Sequence, residues 1–151
     1  MEPLRIYLDV CCLNRPFDDL SQDRIHFESD AVLSILSRCG SGSWTLVSSE
    51  IIDLEFAKAT NLERLKKVRE LCSISKERLT LNTQDEDRAK YFQLHGIKVM
   101  DSLHLAVAES GRVDVLLTID DIFLRKANSL ELLTVVANPV TWFMEVLFNE
   151  R

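Results

Sequence analysis

Residues 5–19, RIYLDVCCLNRPFDD, carry the decision about the fold. Ile6-Tyr7-Leu8 and Val10-Cys11-Cys12 are apolar on both faces, which predicts a central parallel strand. Asp9 interrupts that run with a carboxylate. A buried carboxylate without a partner is costly, so Asp9 marks a salt bridge, a cap or a cation. The choice among these depends on whether other acids can reach the same place.

Outward from this stretch, strands alternate with helices. The turn-rich loop from Asn14 to Asp19 leads to Ser21, a candidate N-cap, and helical spacing runs from Ile25 through Val32, Leu33 and Leu36 to Cys39. Gly40-Ser41-Gly42-Ser43 breaks that helix. Trp44 to Val47 reads as a second strand, and Ser48 or Ser49 caps a helix through Ala59. Leu62, Leu65, Val68 and Cys72 stripe another helix. Arg78 to Leu81 reads as a short strand, and Gln84 to His95 as a helix stopped by Gly96. Asp101 opens an apolar helix, Ser102 to Ser110, that Gly111 ends. Val113 to Ile119 and Leu132 to Val136 read as strands with a short helix between them, and Asn138-Pro139 begins the last helix. The pattern predicts one α/β domain over residues 1–151, with three α/β/α layers and a mostly parallel central sheet.

Composition agrees with one ordinary globular unit. The chain has 151 residues, 46% of them hydrophobic and 28% charged, enough for one proper core and short for two. A net charge of −6 argues against a protein that coats DNA, but not against an enzyme that gathers acids around cations. Cys11, Cys12, Cys39 and Cys72 match no zinc spacing, and neighbouring Cys11 and Cys12 are poor disulfide partners. Reduced thiols, no visible N-terminal signal and no run long enough to span a bilayer predict a cytoplasmic protein with no membrane contact.

In open parallel sheets, sites form beyond the carboxyl ends of the strands. Asp9 ends the first strand, Asp120 ends VDVLLTID, Asp101 follows IKVM at a helix start, and Glu55 lies in the helix after the second strand. Each has an ordinary explanation alone: cap, turn residue or surface acid. Together they explain Asp9, because converging carboxylates repel one another until a divalent cation occupies the gap. Mg²⁺ or Mn²⁺ suits oxygen ligands, and no histidine or cysteine cluster competes for that role.

The ordered set YLDV, SSEIIDLEFAK, MDSLHLAVAES and LLTIDDIF resembles the PIN domain, especially its small VapC-type toxin ribonucleases. The resemblance covers nearly the whole chain. It implies a parallel α/β/α fold and metal-dependent cleavage of RNA by an acid quartet that binds Mg²⁺ or Mn²⁺. The matching positions are Asp9, Glu55, Asp101 and Asp120, with Thr118 as the hydroxyl before the last acid. A small antitoxin partner and a homodimer are implied by the same analogy. Two features depart from the pattern. Many relatives carry Thr or Ser directly after the first acid, where this chain has Val10 and Cys11. The NRPFDD loop is also longer and more polar than is usual in the small toxins.

Within each motif one acid is preferred. Glu55, before Phe56, fits the second motif, while Glu50 reads as a first-turn dipole partner. The Thr-x-Asp spacing selects Asp120 over Asp121. His104 lies three residues after Asp101, so it is either a packed, satisfied histidine or a group that orients Asp101. Asn14 and Arg15 stand near Asp9, where a guanidinium fork suits a scissile phosphate, or they are surface loop residues. Arg64, Lys66, Lys67 and Arg69 form the main basic cluster, and Lys66 and Arg69 share one face as candidate nucleic-acid contacts. The rival to the nuclease is a non-catalytic binding or regulatory module on the same fold. A phosphatase with an aspartyl nucleophile would want an acid at position 11, and a P-loop enzyme its glycine-rich motif; neither is present.

Overall fold

Strand β1 (Arg5–Leu8) buries Ile6, Tyr7 and Leu8 in succession, none more than 1% exposed. Successive strand residues point to opposite faces, so both sides of the sheet must be covered. The computed structural model, which describes residues 2–150, has that arrangement. After β1 come α1 (Val10–Asn14), a 3-10 turn (Arg15–Phe17), α2 (Asp23–Gly40), β2 (Thr45–Ser49), α3 (Glu50–Ala57) and α4 (Leu62–Cys72). The remainder is β3 (Glu77–Leu79), α5 (Thr83–Leu94), α6 (Val99–Ser110), β4 (Val115–Leu117), α7 (Asp121–Asn128), β5 (Val135–Ala137) and α8 (Pro139–Asn149).

The five strands form one parallel sheet in the order β3-β2-β1-β4-β5. The chain winds outward through β2 and β3, then returns to the far side of β1 for β4 and β5. That reversal beside β1 is where a crevice opens at the carboxyl ends of the strands. Asp9 follows β1 and Asp120 lies three residues beyond β4, so the topology sends both to the same rim. Helix α2 packs on α8, and α5 on α6. Among the described residues no helix is long and apolar enough to cross a membrane.

Most elements match the sequence expectations to within a few residues, and two differences are instructive. Val10–Cys12 is the first turn of α1, not a continuation of the strand. Asp9 accepts a hydrogen bond from the Cys12 amide at 3.0 Å, so a local cap ends the strand where the apolar run alone would extend it. Helix α6 starts at Val99, earlier than the sequence suggested, and Asp101 lies in its first turn without being its cap. Gly111 does end that helix, though not by left-handed backbone: a Cβ there would lie 2.6 Å from Leu79 Cδ1, so a larger residue would have to displace the Leu79 side chain. Gly96 takes the other role, closing α5 at φ +88.

Candidate active site

Four elements deliver one acid each. Asp9 caps α1, buried at 4% exposure, and its Oδ1 accepts both the Cys12 amide and the Cys11 thiol, the latter at 2.7 Å. Asp120 caps α7, its Oδ1 accepting the amides of Ile122 (3.0 Å) and Phe123 (3.1 Å), which leaves its other oxygen free of those bonds. The Asp120 amide in turn donates to Thr118 Oγ1 at 3.1 Å, so the Thr-x-Asp spacing closes a small turn that aims the carboxylate. Glu55 comes from the second turn of α3 and Asp101 from the first turn of α6.

All four line one open pocket of about 320 Å³, together with Val10, Cys11, Arg15 and Ile119. Its electrostatics record the crowding. Burial pushes the Asp101 carboxyl up to about 6, and the charges of Asp9, Asp120 and Glu55 push the same way. Burial also raises Asp9, while bonds from Cys11, Thr118 and Cys12 pull it back.

Repelling carboxylates facing open space suit a hard divalent cation, which takes oxygen ligands and keeps several waters. A tighter group of potential ligand atoms exists beside them. Those of Asp9, Cys11 and Cys12 lie within 4.8 Å of one another. Burial holds the Cys12 thiol well above its usual range, and Cys11 is also raised, so both stay protonated. Protonated thiols are poor partners for Mg²⁺ or Mn²⁺, and the oxygen donors of the quartet fit those ions better.

His104 does not turn to Asp101. Its Nε2 pairs with Glu55 Oε1, while its Nδ1 lies 2.5 Å from the Tyr7 hydroxyl, itself 2.6 Å from Ser49 Oγ. With Glu55 ionised, one proton arrangement satisfies every member. Ser49 donates to Tyr7, Tyr7 to His104 Nδ1, and His104 Nε2–H to Glu55. The Tyr7 phenol is pushed well above its usual range by burial, which keeps it a donor. His104 is therefore both buried and satisfied, and it orients the quartet's glutamate. Tyr7 was not singled out in the sequence; its only signal was a hydroxyl inside an apolar strand.

The loop residues divide. Arg15 lines the pocket, held by Glu28 through Nε (3.0 Å) and Nη2 (2.8 Å) and by Asp18 through Nη1 (3.1 Å). Asn14 is engaged elsewhere, donating to the Val10 carbonyl and accepting from Arg64 Nε. The basic helix divides too. Arg64 pairs with Asp18, and Lys67 lies 6.0 Å from the centre of the Phe17 ring, so both brace the 14–18 loop. Lys66 and Arg69 line a separate open groove with Leu62, Leu65, Glu70 and Ser73, and Arg69 also stands over Phe56, the neighbour of Glu55.

Comparison with known families fits this geometry. The PIN domain family model matches residues 6–129. The chain belongs to the PIN domain family. PIN domains are generally nucleases, and the match includes all four acids. Among solved structures, a chain of VapBC2 from Rickettsia felis, bound to a DNA fragment from their promoter, shares the fold with a TM-score of 0.60. The likeness covers 89% of this PIN chain and 98% of that chain at 14% identity, which speaks to fold alone. No curated protein matches the sequence.

Proposed function

We propose that this PIN domain, as one nuclease unit over residues 1–151, is a metal-dependent ribonuclease that hydrolyses phosphodiester bonds within RNA. The observation that carries the reading is the convergence of Asp9, Glu55, Asp101 and Asp120 on one pocket at the reversal of the sheet. These acids are assigned as ligands of Mg²⁺ or Mn²⁺ and as the catalytic set. When bound, the ion lowers the pKa of a water and neutralises charge developing at phosphorus.

The chain's own groups supply position and charge. Asp9 and Asp120 are fixed by the helix starts they cap, and Glu55 by the His104–Tyr7–Ser49 chain. Thr118 sets the turn before Asp120. Arg15 spends three N–H groups on Glu28 and Asp18, and its remaining two are assigned to a phosphate oxygen at the pocket. Asn14 supports the loop that carries Arg15. His104→Gln should lower turnover by about 10–100-fold with a smaller change in KM, the cost expected when an orienting partner of a ligand is lost.

Lys66 and Arg69 are assigned to the path of the RNA backbone. The double variant Lys66→Glu with Arg69→Glu should raise KM and flatten its salt dependence, leaving turnover at saturation little changed. Kinetics across a salt series check this, and a double variant that cleaves like wild type at every salt concentration removes these residues from the interface.

By analogy with the VapBC2 neighbour we assign it a toxin role with a small antitoxin as partner; a homodimer as the assembled form and the cytoplasm as location belong to the same proposal. The experiment for the activity itself incubates pure protein with a mixed RNA pool and with DNA of the same sequences. Cleavage of RNA with Mg²⁺ or Mn²⁺, abolished by a chelator, is expected. Intact RNA under all metals would favour a non-catalytic module, and cleaved DNA would reassign the substrate.

A further inference from the structure

The first turn of α1 gathers three donors that the nuclease reading uses only in part. Asp9 Oδ1 and the Cys11 and Cys12 sulfurs lie within 4.8 Å of one another. They come from the cap and the second and third positions of one short helix, so the backbone already fixes their relative placement. Cys11 reaches the acid-lined pocket, which gives an ion an entry path and room for water. Cys12 is fully buried, and its thiol donates to the Leu117 carbonyl at 3.4 Å. That carbonyl also accepts the Asp9 amide at 3.2 Å, so it stays satisfied if the thiol gives up its proton.

One oxygen and two sulfurs, with Asp9 and Cys11 lining the pocket, form a donor set for a thiophilic ion. Zn²⁺ takes tetrahedral sulfur and oxygen ligands and tolerates water in the last place, whereas Mg²⁺ avoids sulfur. We propose that Asp9, Cys11 and Cys12 form a site for a thiophilic divalent cation of the Zn²⁺ class, which competes with the carboxylate quartet for Asp9. Binding replaces the two thiol protons with two metal–sulfur bonds and releases both protons to solvent. Zinc-class ions then switch the nuclease off, because Asp9 cannot serve both sites. The inhibitory consequence rests on the proposed role of Asp9 in the nuclease, while the soft-ion site itself does not.

Titration of the reduced full-length protein with Cd²⁺, followed by thiolate-to-metal charge-transfer absorption in the near ultraviolet, tests the site without reference to activity. Wild type and a Cys39→Ser/Cys72→Ser variant are expected to develop the band at one ion per chain. Cys11→Ser, changed at a partly exposed position, is expected to lose it, with Cd²⁺ affinity falling by more than about 100-fold, beyond what loss of a merely supporting group costs. Cys12→Ser should behave alike if circular dichroism shows it folded. A band that persists in Cys11→Ser, or none in wild type, overturns the proposal. Mn²⁺ calorimetry on Cys11→Ser separates the two readings. Retained Mn²⁺ binding that Cd²⁺ no longer displaces supports competition at Asp9, and Cd²⁺ that still displaces Mn²⁺ equally well overturns it. Absence of Mn²⁺ binding in wild type counts against the carboxylate site and leaves the cadmium result standing alone.

Discussion

Asp101→Asn should abolish most cleavage while making the metal-free protein more stable at neutral pH. The activity loss should exceed about 100-fold, since Asp101 is proposed as a direct ligand and not merely as a group that orients one. The stability gain follows from the direction of the pKa shift. Asp101 titrates near 6 when folded, against an ordinary value of 3.8. Between those values the folded state holds a proton that the unfolded state has lost, so rising pH costs stability across this window. Above about pH 6 the full penalty applies, on the order of 1–2 kcal/mol once solvent screening at a partly exposed group is allowed for. Asparagine removes that penalty. It also gives up a favourable carboxylate in the first turn of α6, worth roughly 0.3–1 kcal/mol, so the net gain is modest but positive. Denaturant melts without metal at about pH 4 and about pH 7 should show wild type and variant converging at the lower pH and separating at the higher one. A variant less stable at both would mean that Asp101 serves the helix and not the site.

Glu28→Ala should produce the largest stability loss of any single change near the pocket. Glu28 is 2% exposed and is held by Arg15, Arg24 and Asn138 Nδ2, the last at 2.7 Å. Arg24 is half exposed and bonds more closely to Asp121, so its share is small. Arg15 is well covered and would lose its main partner. Breaking a buried pair costs about 3–5 kcal/mol, and the lower end applies here because Arg15 keeps Asp18 and Arg24 keeps Asp121. The same change frees Arg15 at the pocket edge, so KM for RNA should rise even at temperatures where the fold holds. Urea melts paired with kinetics at low temperature read both effects. A loss below about 1 kcal/mol would place Glu28 among ordinary surface pairs.

These two residues also show what the chain reveals before folding. That Asp101 meets Asp9, Glu55 and Asp120 in one pocket was legible from the ordered set of motifs, since a parallel sheet gathers such positions at one rim. The parallel sheet was legible because β1 and β4 are apolar on both faces. Glu28 is less legible, although it sits between Ile25 and Val32 on the apolar stripe of α2, the spacing at which an acid must find a buried partner. The pairing of His104 with Glu55 joins α6 to α3 across 49 residues, and helical periodicity alone pointed to the nearer Asp101. The turn at Val10 was hidden for a different reason. Its cap depends on one hydrogen bond that the Asp9 carboxylate accepts from the Cys12 amide, which competes locally with an apolar run that reads equally well as strand.

Mn²⁺ calorimetry on the metal-free wild type, Asp9→Asn and Asp101→Asn tests the carboxylate site most directly. Wild type should bind Mn²⁺ with a heat that Mg²⁺ displaces, and each variant should bind more weakly by about tenfold or more while remaining folded. Equal Mn²⁺ affinity in all three proteins would contradict a metal site built from these acids.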